Sequence, residues 1–146
     1  MTLGQLLRPP ILNDPNYLGF LFESLVIHNL RVYAQANDAN VSYYRDSNND
    51  EIDAIVQNRA GTWAAFEVKL GSKTFDETAG KLIRITKNIS KKYSSLNIIT
   101  GTGTTYTRLD GVNIISLSSI FGYIKLKSEI VRFCNQAVFP FYTVIQ

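Results

Sequence analysis

The chain has 146 residues, 45% apolar and 18% charged, with a formal net charge of +3. That length fits one domain with a proper core, and that composition excludes a disordered chain. No apolar run reaches the roughly 18 residues a bilayer span needs, and the single cysteine, Cys134, excludes an internal disulfide.

Residues 1–16 read as a lead-in, with Pro9, Pro10, Pro15 and the turn formers Asn13-Asp14. Met1 to Arg8 carries no secretory pattern, so a reducing cytoplasmic setting without membrane association is expected. Tyr17 to Gln35 is the clearest helix. Leu18, Leu21, Phe22, Leu25, Asn29 and Val32 fall on one face at three- and four-residue spacing, in a helix expected to be covered on most sides. Phe20, Ile27 and Leu30 make the other side apolar too, and Glu23 sits among them, where a carboxylate needs a partner.

Three strands are expected next, Val41–Arg45, Glu51–Gln57 and Trp63–Leu70. The short turn-rich links at 46–50 and 58–61 predict an antiparallel meander. A second helix is expected from Thr74 to Tyr93, with Leu82, Ile85, Ile89 and Tyr93 inward. Asn97–Thr100 and Val112–Ser116 read as further strands around a polar loop, Gly101–Gly111. Residues 121–146 form an extension with a helix near Ile130 and an aromatic end, Phe139-Pro-Phe-Tyr142. This order predicts an α/β domain with a mixed central sheet flanked by helices.

Four ionisable residues stand on these elements: Glu23, Asp53, Glu67 and Lys69. Glu67 and Lys69 lie two apart in an apolar strand and so share a face. The expected face assignment in Glu51–Val56 puts Ile52, Ala54 and Val56 together and Asp53 opposite them. Pairing with Trp63–Leu70 would then set Asp53 beside Glu67 and Lys69. Two carboxylates suit one hard cation, which neutralises a phosphate and acidifies a water. With one His and one Cys in the chain, the ligands would be oxygens and the ion magnesium or manganese. The competing readings are an exposed strand ion pair for Glu67 and Lys69, and a helix-face carboxylate reaching solvent for Glu23.

Charge is unevenly spread. Between Lys69 and Lys92 stand seven basic residues against two acids, and between Asp38 and Asp53 five acids against one arginine. Lys81, Arg84, Lys87 and Lys91 share one side of the second helix, and Lys73 extends that row. Such a row could track a phosphate backbone, or be a solvated helix face. Tyr43 and Tyr44 could stack on bases or pack across strands. His28 reads as a hydrogen-bonded helix residue rather than a base, and Trp63 as core.

Glu23 in a helix, Asp53 on a strand and Glu67-Val-Lys69 on the next resemble the PD-(D/E)XK nuclease superfamily, which includes archaeal Holliday-junction resolvases and many restriction endonucleases. The likeness is closer to a domain of unknown function at the carboxyl ends of bacterial and archaeal AAA-type ATPases. That domain's pattern resembles Gly19-Phe-Leu-Phe-Glu23, Tyr43-Tyr-Arg-Asp46, Asp50-Glu-Ile-Asp53 and Phe66-Glu-Val-Lys69. The resemblance covers residues 17–120 and implies a restriction-endonuclease-like core. It also implies Asp53 and Glu67 as ligands of Mg2+ or Mn2+, Lys69 as the catalytic lysine, and Glu23 as the helix-borne fourth member. The implied activity is hydrolysis of phosphodiester bonds in DNA, with an ATPase domain or subunit as a partner. No phosphate-binding Gly-x-x-x-x-Gly-Lys-Ser/Thr run occurs, and Gly101-Thr-Gly-Thr-Thr105 lacks the lysine. The chain is therefore expected to be an excised carboxyl-terminal domain or a stand-alone relative. Two alternatives stand beside the nuclease: an inactive module of the same fold that binds nucleic acid or a partner, and a homodimer built on the apolar tail, Phe133 to Ile145.

Overall fold

The structure, a computed structural model, describes residues 14–119. The expectations for the tail beyond residue 119, including the helix near Ile130, Cys134 and the dimer contact, lie outside the described residues. Helix α1 (Pro15–Ala36) begins two residues earlier than expected. Asp14 is its N-cap, accepting a hydrogen bond from the Asn16 N–H, and Pro15 occupies a position where no N–H is needed. Asp14-Pro15 is thus a capping signal rather than a free turn.

The buried stripe of α1 is Phe22, Val26, Leu30 and Ala34. This corrects the expectation of a helix covered on most sides, because Leu18, Leu21, Leu25 and Val32 are exposed. Both sides of the helix are apolar, so periodicity could not choose between them. The sheet takes the stripe with the small residues Val26 and Ala34, which allow the helix axis to approach closely.

Strands β1 (Ala39–Arg45), β2 (Glu51–Asn58) and β3 (Trp63–Lys69) form the expected antiparallel meander. The first turn is tied by Asp46, whose carboxylate accepts from the N–H groups of Asn48 and Asp50. The second turns at Gly61, whose φ of +83° is left-handed. A 3-10 turn, Ser72–Thr74, leads into α2 (Phe75–Lys87). Strands β4 (Ser95–Thr100), β5 (Tyr106–Thr107) and β6 (Asn113–Ser116) complete one sheet in the order β1-β2-β3-β4-β6-β5. The pairs β3–β4 and β4–β6 are parallel and the rest antiparallel, so the sheet is mixed as expected.

Two further differences shape the path of the chain. Helix α2 stops at Lys87 instead of Tyr93, because the chain must turn back for Ser94 to donate to the Trp63 carbonyl and start β4 beside β3. The loop 101–111 holds the short strand β5, folded onto β6 by a turn in which Arg108 and Val112 hydrogen bond and Gly111 takes a φ of +85°.

The sheet has a helix on each face. Phe22, Val26 and Leu30 of α1 pack on Ala54, Val56, Phe66, Val68 and Ile99. Ala79, Leu82 and Ile85 of α2 pack on Trp63, Ala65, Ile98 and Ile114. The β1–β2 ladder is irregular at one point. Ser42 pairs with Ile55 and Tyr44 with Ile52, so Tyr43 alone faces two residues, Asp53 and Ala54. This β-bulge reverses the side-chain alternation along β2. Ile52 therefore packs on the α2 side while Ala54 and Val56 pack on the α1 side, and the expected common face for all three does not form.

The stripe assignment is open to test by urea unfolding. Leu30→Ala should lower stability by about 2–4 kcal/mol, whereas Leu25→Ala, 45% exposed, should change it by less than about 1 kcal/mol. Equal losses would return the helix to coverage on most sides.

Candidate active site

Strands β2 and β3 stay in register only as far as Ala54 opposite Phe66. Past that pair, the carboxylate of Asp53 takes over: its Oδ2 accepts the Val68 N–H at 2.8 Å. A side chain thus satisfies a backbone donor that a continuing strand would have met. The bulge delivers Asp53 to this position, next to Glu67 but through the β3 backbone rather than across a regular ladder.

Glu67 is completely buried, with 0% exposure, which rules out the exposed ion-pair reading. It shares the α2 face with Trp63 and Ala65. Lys81 of α2 donates to its Oε1 at 2.9 Å, and Lys69 Nζ lies 3.6 Å from Oε2. Among the described residues nothing donates a hydrogen bond to Oε2 itself. Burial, and then the charge of Asp53, push the Glu67 carboxyl above its ordinary value despite both lysines. Glu23 reaches the same place from α1. Burial and Asp53 raise its pKa and Lys69 opposes them, so those charges are close enough to act on it. Asp53, Glu67 and Lys69 therefore lie together at one end of β3, where β2 parts from it, with Glu23 near enough to feel the charges of Asp53 and Lys69.

The basic row does not form as read. Lys81 turns inward to Glu67, and Arg84 is held by Asp50 through both terminal nitrogens, one at 2.8 Å. Lys87 ends α2 and is exposed, while Lys91 lies past the helix, its carbonyl accepting the Trp63 indole N–H. Lys73 is exposed in the 3-10 turn. Sequence reasoning placed Lys81 on the surface and did not pair Arg84 with Asp50. The signal for Lys81 was its spacing: it stands three residues from Thr78 and four from Ile85, both buried, at the margin of the apolar stripe. Among the remaining candidates, Trp63 is core as expected, its ring edge-on to Tyr93 with centroids 6.1 Å apart. Tyr44 packs on the α2 side and Tyr43 is exposed, as is His28.

Beside Glu67 opens a cleft of about 540 Å³, lined by Lys69, Lys81 and Arg84 together with Thr74, Thr78 and Glu77. Its three cations are already engaged, Lys69 and Lys81 with Glu67 and Arg84 with Asp50. A divalent cation fits the adjoining carboxylates in two respects. Glu67 Oε2 is a buried acceptor lacking a hydrogen bond, and Asp53 supplies a second oxygen-only group whose charge already acts on it. Among the described residues no group of three or more His, Cys, Asp or Glu converges on one point. Two protein carboxylates, with water and a substrate oxygen completing the shell, is a habit of magnesium rather than of zinc.

The fold and this cluster define a class: a mixed α/β sheet domain with a buried carboxylate–lysine site at its strand ends. The chain matches the domain of unknown function DUF4143 over residues 18–120 and belongs to that family. No curated protein matches it. No helix among the described residues is long and apolar enough to cross a membrane.

The raised pKa of Glu67 has a measurable consequence. Its folded value lies above its ordinary 4.5, so the folded state holds the proton more tightly than the unfolded one. Stability from this group is present below about 4.5 and is lost as pH rises through the folded pKa. Glu67→Gln should therefore melt higher than wild type at pH 7, by roughly 2–6 °C, with the gap closing towards pH 4.5. A variant less stable than wild type across that range would show that the lysine pairs outweigh desolvation.

Proposed function

We propose that the chain is a divalent-metal-dependent nuclease domain of the PD-(D/E)XK type, hydrolysing phosphodiester bonds in DNA. The observation that carries this reading is the fully buried Glu67. It is flanked by Asp53 and Lys69, with one carboxylate oxygen free of hydrogen bonds at the edge of a cation-lined cleft. A protein core rarely retains such a group unless it is paired or binds a cation.

In this reading Asp53 and Glu67 hold Mg2+ or Mn2+. When bound, the cation neutralises phosphate charge and acidifies the attacking water. Lys69 stands on the cleft wall with a third of its side chain exposed, so its ammonium can reach a phosphate oxygen and stabilise the charge growing there. Asp53 keeps its place because the Val68 N–H anchors one oxygen. Glu23, from the opposite face, adds negative charge that keeps Lys69 turned towards the carboxylates. Its role is positioning. Lys73, Lys87 and Lys91, all exposed, are the residues left to meet the phosphate backbone at a distance. An ATPase domain or subunit is the partner this family resemblance suggests, acting beside the nuclease.

A second reading has its own observation. Lys81 already neutralises Glu67, and the arginine nearest the cleft is bound to Asp50. A cluster satisfied internally in this way also suits an inactive module that binds nucleic acid or a partner.

Calorimetric titration of manganese separates the two without any guess about substrate. The nuclease reading expects binding by wild type that Asp53→Ala abolishes. It also expects at least a hundredfold loss of manganese-dependent cleavage in Asp53→Ala and Lys69→Ala, with the circular dichroism of both unchanged. Cleavage that survives Asp53→Ala would remove that residue from the site. Nucleic-acid binding without cation binding or cleavage would favour the inactive module.

A further inference from the structure

The side chain of Lys81 joins two environments. Its ammonium rests on Glu67 Oε1 at 2.9 Å, yet a third of the side chain is exposed, and it lines the same cleft as Lys69 and Arg84. Lysine carries a point charge on a flexible four-carbon stem, so it can leave one partner for another by rotating about single bonds. Lys81 holds Oε1 while Oε2 is the oxygen that the site would offer to a cation, and two cations on the two oxygens of one buried carboxylate repel each other. Lys69 differs. It lies 3.6 Å from the other oxygen and donates no hydrogen bond to it.

We infer that Lys81 is an exchangeable counter-ion: it neutralises buried Glu67 in the cation-free protein, and it moves into the cleft to bind a phosphodiester oxygen when a divalent cation binds the same carboxylate. The inference rests on the nuclease reading of the same site and adds to it a coupling between cation and substrate. A cation on Oε2 repels Lys81 from Oε1 of the same carboxylate, and this repulsion weakens cation affinity when no substrate is present. Once displaced, it joins Lys69 near Thr74 and Thr78 in the cleft, where Glu77 is the single opposing carboxylate. An anion that gains Lys81 there rewards the displacement, so cation and phosphodiester each tighten the binding of the other. The arrangement also keeps Glu67 from standing as an unpaired buried charge while the site is empty.

Three proteins test this: wild type, Lys81→Met and Lys81→Arg, each titrated with manganese by calorimetry at pH 8. Methionine fills the stem's volume without charge, and arginine keeps the counter-ion. Lys81→Met should bind manganese about tenfold more tightly than wild type, a gain that a purely structural lysine would not produce. Lys81→Arg should show no gain, and its behaviour guards against a methionine variant that fails to fold. In a second arm, a fluorescent single-stranded oligonucleotide is titrated with and without calcium. Calcium should tighten its binding to wild type severalfold and have little effect on Lys81→Met. Equal or weaker manganese binding by Lys81→Met, or equal calcium enhancement in both proteins, would overturn the exchange while leaving the nuclease reading in place. Absence of manganese binding in all three proteins would remove both.

Discussion

A carboxylate buried in the middle of a sheet face is the constraint around which this domain is arranged. Glu67 stands where a residue like Trp63 or Ala65 would pack on α2, and it has no access to water. Desolvation and the nearby Asp53 charge disfavour its ionised form, while Lys81 and Lys69 favour it; the first pair prevails. The balance explains why α2 carries a lysine at the margin of its buried stripe. A leucine there would leave the acid with one distant lysine and a greater penalty for its charge.

The second determinant is the bulge in β2. Were β2 regular, Asp53 would remain in the alternation and the β2–β3 ladder would continue to Glu67. Instead the extra residue ends the ladder at Ala54, and the Asp53 carboxylate replaces the missing backbone acceptor for Val68. A local defect in hydrogen bonding thereby becomes the means of placing a carboxylate beside a strand end. Because β3 is central, both faces open on that point. Glu23 arrives with α1 and Lys81 with α2, so a single strand end collects charges from two layers that do not otherwise meet.

Much of the positive charge is already neutralised within the fold. Arg84 neutralises Asp50, Arg108 ties Asp110 to Asp76, and Arg59 meets Asp38. The Arg108 pairs hold the β5–β6 hairpin to the start of α2, the same segment that walls the cleft. The exposed pairs add little stability. Their effect is on the surface potential, which is less positive along α2 than the composition of residues 69–92 suggests.

Local chemistry determined a good deal of this protein. The turn residues at 46–50 and 58–61 set the meander, the strand spacing put Glu67 and Lys69 on one face, and Glu23 and Asp53 were visible as charges on apolar elements. Those signals are local because hydrogen-bonded turns and side-chain alternation act over a few residues. Tertiary structure decided the rest. Helix α1 has two apolar sides, and only contact with the sheet selects Phe22, Val26, Leu30 and Ala34. The bulge at Asp53 and Ala54 appears only when β1 is paired with β2, since register belongs to two strands and not to one. Lys81 and Arg84 look like neighbours on a basic helix until burial and distance separate them, one drawn inward to Glu67 and the other held by Asp50. Charge type is a property of the residue, but its partner is chosen by long-range geometry, and that is why these charged residues stood out in the sequence while their connections did not.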